Sequence, residues 1–457
     1  MTRPLALALA AVGAGLLALA PAAMARDEVL TLYSPRISSE PYVHDTHSVR
    51  LRANGREAPA EGGYVTGFIE QVLVDSKNPK AKPLPNSKMM IHHFLYFAPG
   101  RIGSEAGSCW AGAGFISGRG EEHPRGRFSH YTPPGARERY GIPNKTADGS
   151  APEWRLVAMV MNHYQRPKDF YVRTKIRYTT EEREPVSPVV VGDCATLRNQ
   201  MSYDVPGGGG RGSNFVNQSN WTAPFSGRIL LASNHQHGGG KYHTFESRTC
   251  NREVFRAPVY HGTKRHIYNR IRPILHEPGP IGTGAYGSLA GIPVREGEEF
   301  TRAAVHDNAN LHVAAMGFWV FLMVRDDSVG ECDPLPTDVR ELNRPKRFDR
   351  TPNHGLKVPQ LFEPDGAFRS FSGNPMSVGD RFFRPDRVRA NLGETVRWSF
   401  TGNEPHSVTV ANGPRGFSSV YAGQVSGEYE FTPTVSGRYK LTCLIHPTTM
   451  GQDLVVR

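Results

Sequence analysis

Ten residues near the C-terminal end carry the densest chemistry of the chain: Thr442, Cys443, Leu444, Ile445, His446, Pro447, Thr448, Thr449, Met450 and Gly451. A thiolate, an imidazole and a thioether on one tight loop need one more imidazole to complete a mononuclear blue-copper ligand set. His406, in Glu404-Pro405-His406-Ser407-Val408, can supply it. With every ligand a protein group, such a centre passes one electron between Cu(I) and Cu(II) and binds no substrate.

Further upstream, metal-capable side chains gather in four short stretches. His92 and His93 are adjacent inside the apolar run Met90 to Leu95. Neighbours on a regular strand point to opposite faces, so both reach one ion only at an edge or a bulge. His163 closes the apolar run that begins at Leu156, where a structural role is the ordinary expectation. His235 and His237 are two apart and share a strand face, and Gly238, Gly239 and Gly240 leave the approach open. Met316 lies in Leu311-His312-Val313-Ala314-Ala315-Met316-Gly317-Phe318-Trp319, where core packing is the usual use of a methionine.

The elements that must position these groups read as strands. Between residues 27 and about 330, short apolar or alternating runs (64–74, 89–97, 156–163, 170–178, 229–232, 313–324) are separated by Gly, Pro, Asn and Ser, with almost no helical periodicity. The expectation is an all-β protein with two stacked, jelly-roll-like β-sandwiches, 26–187 and 188–330, meeting near 184–193. Pro334, Pro336, Pro345, Pro352, Pro359 and Pro364 mark 331–375 as an extended linker. A small Greek-key β-domain follows over 376–457. Residues 1–25 have the charged start, apolar core and Ala-x-Ala exit of a secretory leader, so cleavage is expected after Ala25 and the product is expected in the periplasm or outside the cell. No later run is long enough for a membrane helix. Of five cysteines, Cys443 is claimed by copper, which leaves Cys109, Cys194, Cys250 and Cys332 for up to two disulfides in three connectivities.

The C-terminal pattern, with Phe383-Arg384-Pro385, Asn391 to Trp398, Gly437 to Leu441 and Asp453 to Val456 around the four ligands, resembles the cupredoxins, the plastocyanin and amicyanin group. The upstream stretches, in their order, resemble the type II copper monooxygenases (the peptidylglycine α-hydroxylating and dopamine β-monooxygenase group) and the plant stress up-regulated nodulin proteins. That resemblance implies one copper at His92, His93 and His163 and a second at His235, His237 and Met316. It also implies O2 activation at the Met-containing site, with hydroxylation of a substrate C–H bond, while the three-His site stores an electron. The cupredoxin domain is then expected to supply electrons to both. His312 fits the nodulin-type pattern as a further ligand or a supporting residue. Peptide-amidating members carry an Arg two residues before the His-x-His pair and a Tyr four after the Met. Ser233 and Val320 stand there, so peptidylglycine is not the expected substrate.

Thr442 and Leu444 flank Cys443 where a multicopper oxidase or copper nitrite reductase has electron-carrying histidines, which argues against that class. The formal charge of +11 suits acidic partners, but the basic residues are dispersed and no nucleic-acid motif is present. The alternative function is a non-enzymatic periplasmic copper-binding or electron-transfer protein. Storage would call for His- or Met-rich tracts, and the 18 His and 11 Met are instead set mostly singly in apolar strands. A redox partner protein remains an expectation of either reading.

Overall fold

The computed structural model describes residues 27–457 except 42–43, 86–87, 105–108, 111, 121, 123–134, 195–200, 262–278, 310, 343–360 and 420–422. The expected leader therefore lies outside the described residues. The regular structure among the described residues is almost all strand, with a single four-residue helical turn, Ala136–Arg139.

In each half of the front region two sheets bury their apolar faces against each other. An eleven-stranded sheet runs through both halves, with the main order Glu28–Tyr33, Lys168–Thr179, Gly63–Val74, Tyr140–Asn144, Glu184–Val191, His312–Arg325, Gly227–Gln236, Ala285–Val294, Arg340–Glu341. Over its first half lies the four-stranded sheet His44–Leu51, Trp154–Asn162, Met89–Phe97, Phe115–Gly120. Over its second half lies the five-stranded sheet Asn214–Thr222, Glu299–Asp307, Gly240–Ser247, Arg252–Tyr260, Gly282–Thr283. Phe68, Phe94, Trp154 and Phe170 fill the first interior, and Phe245, Phe300, Trp319 and Phe321 the second.

The boundary expected at 187–188 falls inside a strand. Glu184–Val191 pairs in parallel with Tyr140–Asn144 of the first half and antiparallel with His312–Arg325 of the second. The apolar run Val186 to Val191 is buried on both sides, as a central strand demands. The two sandwiches are thus joined side by side through backbone hydrogen bonds.

At one end the second interior is polar. His243 is fully buried, stacks on Trp319 with ring centroids 5.1 Å apart, and shares a 2.8 Å hydrogen bond between Nδ1 and Asn234 Oδ1. Beside it Arg302, also fully buried, donates to Ser219 Oγ and the Gly317 carbonyl, and Tyr203 meets His306 Nε2 at 2.8 Å.

The disulfides are Cys109–Cys194 and Cys250–Cys332, which leaves Cys443 as the free thiol. The first ties the two halves together. The second holds the start of the expected linker on the second sandwich, where Arg340–Glu341 also adds a short edge strand. At the other end of that segment, Phe362 N–H donates to the Pro447 carbonyl.

The C-terminal unit is a separate sandwich with five- and four-stranded sheets around Trp398, Phe417 and Tyr439. Its ribbon 406–424 is closed at one end by mutual backbone bonds of His406 and Gln424. At the opposite tip, Gly416 N–H donates to the Pro206 carbonyl at 2.9 Å, and Leu311 packs on the C-terminal core.

Candidate metal centres

Two groups of histidine and cysteine ligand atoms come within 4.8 Å of one another among the described residues: His92, His93 and His237, and His406, Cys443 and His446.

In the C-terminal group, Cys443 Sγ is 3.9 Å from His406 Nδ1 and 3.8 Å from His446 Nδ1, and the two nitrogens are 3.2 Å apart. The loop is set by backbone bonds: His446 N–H to the Cys443 carbonyl and Met450 N–H to the His446 carbonyl, while Ser407 N–H points at the sulfur at 3.4 Å. Met450 and Cys443 are fully buried members of the same core cluster. Burial raises the Cys443 thiol above its ordinary pKa and lowers that of His446, so in the apo site the two favour their neutral forms. A soft S/N/N cage of this kind, with a thioether beside it, fits copper. Each imidazole is backed by a carboxylate: Asp380 Oδ1 lies 3.2 Å from His406 Nε2 and Glu404 Oε2 lies 3.2 Å from His446 Nε2. Asp380 is held down to about 2, first by the Glu404 N–H and then by His406.

The front group begins with a bulge. Ile91 pairs with Val160 and His93 with Met159, so His92 is an extra residue in its strand. That bulge breaks the alternation which would send His92 and His93 to opposite faces, and their Nδ1 atoms lie 2.6 Å apart. On the second half, His235 stands opposite Phe318, its ring centroid 4.6 Å away, and His237 shares its face two residues on. His93 Nε2 is 3.0 Å from His235 Nε2 and 3.2 Å from His237 Nε2. The far nitrogens are committed: His237 Nδ1 to the Ala314 carbonyl at 2.8 Å, and His235 Nδ1 to both Glu122 oxygens at 3.1 Å. Ala314 holds a positive φ of 54° to present that carbonyl, and its N–H is held by Asp204 Oδ1.

Those second partners decide the chemistry. With Nδ1–H donated outward, the Nε2 atoms of neutral His235 and His237 both turn lone pairs toward His93, which has one Nε2 proton at most to offer. Three imidazole nitrogens at this spacing suit a cation instead, because metal–nitrogen bonds of about 2.0 Å in a tetrahedron place ligand atoms roughly 3.3 Å apart.

The histidines expected in two separate cages also meet one another across the two halves. His92 and His93 of the first half and His235 and His237 of the second form one group. The His163 N–H bonds the Lys88 carbonyl at the near end of the neighbouring strand, and the residue is 5% exposed. Met316 lies across from His237, whose N–H meets the Met316 carbonyl, and packs against the cluster of Phe97, Phe115 and Phe318. His312 Nε2 is 2.9 Å from the Asp307 carbonyl, with its ring against Gly239, so it supports the glycine loop. Ser233 and Val320 prove to be direct cross-strand partners.

Four residues escaped the sequence reading. The His44 ring lies 4.6 Å from that of His92, and Glu122, Asp380 and Glu404 back the imidazoles. None has a spacing signal, since each reaches its partner across a sheet or from a loop.

No family model and no curated protein matches the chain. Among solved structures it is similar to cupredoxins over a small part of its length. A variant plastocyanin of fern shares 20% identity over 18% of this chain and 100% of its own, with a TM-score of 0.17. A purple cupredoxin from Nitrosopumilus maritimus shares 19% over 17% of this chain and 82% of its own, with a TM-score of 0.14. An oxidised amicyanin variant shares 22% over 18% of this chain and 79% of its own, with a TM-score of 0.15.

Proposed function

We propose that this protein is a copper oxidoreductase with two centres: a one-electron centre at His406, Cys443, His446 and Met450, and a histidine-rich centre at His92, His93, His235 and His237 that reacts with O2. The observation that carries the reading is the convergence of the His93, His235 and His237 Nε2 atoms from two halves, their geometry fixed by outer partners. Copper would supply one-electron chemistry at the first centre and O2 reduction at the second. The residues orient the ligands, and burial keeps bulk water from them.

Hydroxylation of a substrate C–H bond is the finer reading, favoured by the place of Met316 across from His237 on the same strand face. Its balance needs O2, two electrons and two protons per hydroxyl group formed, with one water released. A storage role would require many similar sites, whereas the described residues bring their ligands together at two places.

Metal analysis with electron paramagnetic resonance tests the reading. The expected content is two copper ions per chain, one signal blue and lost in Cys443→Ser, the other nitrogen-rich and lost in His235→Ala. Progressive weak uptake beyond two, or no O2 consumption by the fully reduced chain, would remove the oxidoreductase reading. Abolition of O2 consumption by His235→Ala, with the blue signal intact, would support it.

A further inference from the structure

His235 is gripped on two sides. One ring face lies on Phe318, and Nδ1 faces a carboxylate from the other half of the front region. Glu122 is 4% exposed and sets both oxygens 3.1 Å from that nitrogen. The backbone that delivers it passes hard against the imidazole: a Cβ on Gly120 would stand 2.5 Å from His235 Cε1 and would also strike Glu122. Only glycine lets this segment approach so closely. Arg119, buried beside this segment, donates to the Gln71 carbonyl and has Glu122 as a nearby opposite charge.

We infer that Glu122 is a positioning residue of the front centre, holding His235 with Nε2 turned to the metal and favouring the more highly charged copper state. The inference rests on the copper reading above. A carboxylate behind a ligand imidazole fixes its tautomer and raises its basicity. The added negative charge stabilises Cu(II) more than Cu(I), because the interaction grows with the charge of the ion.

A role in shape alone and a role in charge separate under substitution. Glu122→Gln keeps an acceptor for the Nδ1 proton and removes the charge. Glu122→Leu removes both.

The test is made on the full chain carrying Cys443→Ser, so that the front centre is the copper site measured, with Cu(I) and Cu(II) affinities read by chelator competition. In Glu122→Gln, Cu(II) affinity is expected to fall about 10- to 100-fold, with a much smaller loss for Cu(I), and the reduction potential to rise accordingly. In Glu122→Leu both affinities fall. Equal affinities in Glu122→Gln and the parent, with only the melting temperature lowered, would overturn the inference and leave Glu122 as the counter-ion of Arg119. If the Gln variant does not fold, Glu122→Asp answers instead: it keeps the charge and shortens the reach, so lost Cu(II) affinity supports the inference and parent-like affinity overturns it. A parent chain with Cys443→Ser that takes up no copper would defeat the copper reading itself, a result distinct from a Glu122 effect.

Discussion

The decisive atoms in the front group are those that face away from it. Glu122 and the Ala314 carbonyl take the Nδ1 protons, and the geometry at Nε2 follows. Gly120 makes the first of these contacts possible, so Gly120→Ala is expected to push apart Glu122 and His235. A loss of about 1–3 kcal/mol in stability, together with weaker copper binding at the front centre, would show in thermal melts and competition titrations. Ala314→Gly should instead be tolerated, because it removes a left-handed backbone cost of about 1–2 kcal/mol at φ 54°. Its melting temperature should equal or exceed that of the parent.

Burial holds His306 down to about 3, below the usual histidine value of 6.5. The unfolded chain therefore binds more protons than the folded one between those values, and stability falls as pH drops through that window. His306→Gln is expected to flatten this acid limb in melts recorded from pH 7 to 3. A limb of unchanged slope would place the titration elsewhere.

At the scale of elements, what could be read from sequence follows the distance over which each site is assembled. Cys443, His446 and Met450 lie within eight residues, and backbone bonds inside that loop fold it, so the spacing already contains the geometry. His92 and His93 were legible as a pair that needed a bulge, and the bulge is there. Which imidazoles share an ion depends instead on how two sheets meet, and no local pattern records that. The expected break at 187–188 failed for a related reason: a central strand buried on both faces looks the same whether it closes one sandwich or joins two.

The polar end of the second interior makes its own prediction. Replacing His243 by Phe leaves Asn234 Oδ1 buried without its present donor, with a loss of about 1–3 kcal/mol. Chemical denaturation should show it, and Asn234→Leu combined with His243→Phe should recover part of the loss.

For the whole molecule, the described residues bring the third sandwich against the front region at the tip of its ribbon, near Gly416, while His406 sits toward the other end, roughly 20 Å away at 3.3 Å per residue. Contact with the front region among the described residues is thus made by the end of the ribbon away from His406. The Cys109–Cys194 bond should matter more to the front region than to the third sandwich. Replacing both cysteines by Ser is expected to cost about 2–4 kcal/mol, with the blue signal unaffected.

The strand Glu184–Val191 also sets the mechanics of the front region. Because it is bonded to a neighbour from each half, the sandwiches cannot part like jaws without tearing a sheet at its middle. Any admission of small molecules to the histidines must come from loops and side chains above a stiff spine. In hydrogen exchange, the amides of Val186, Val189, Val190 and Val191 should be among the slowest in the molecule, whether or not metal is bound.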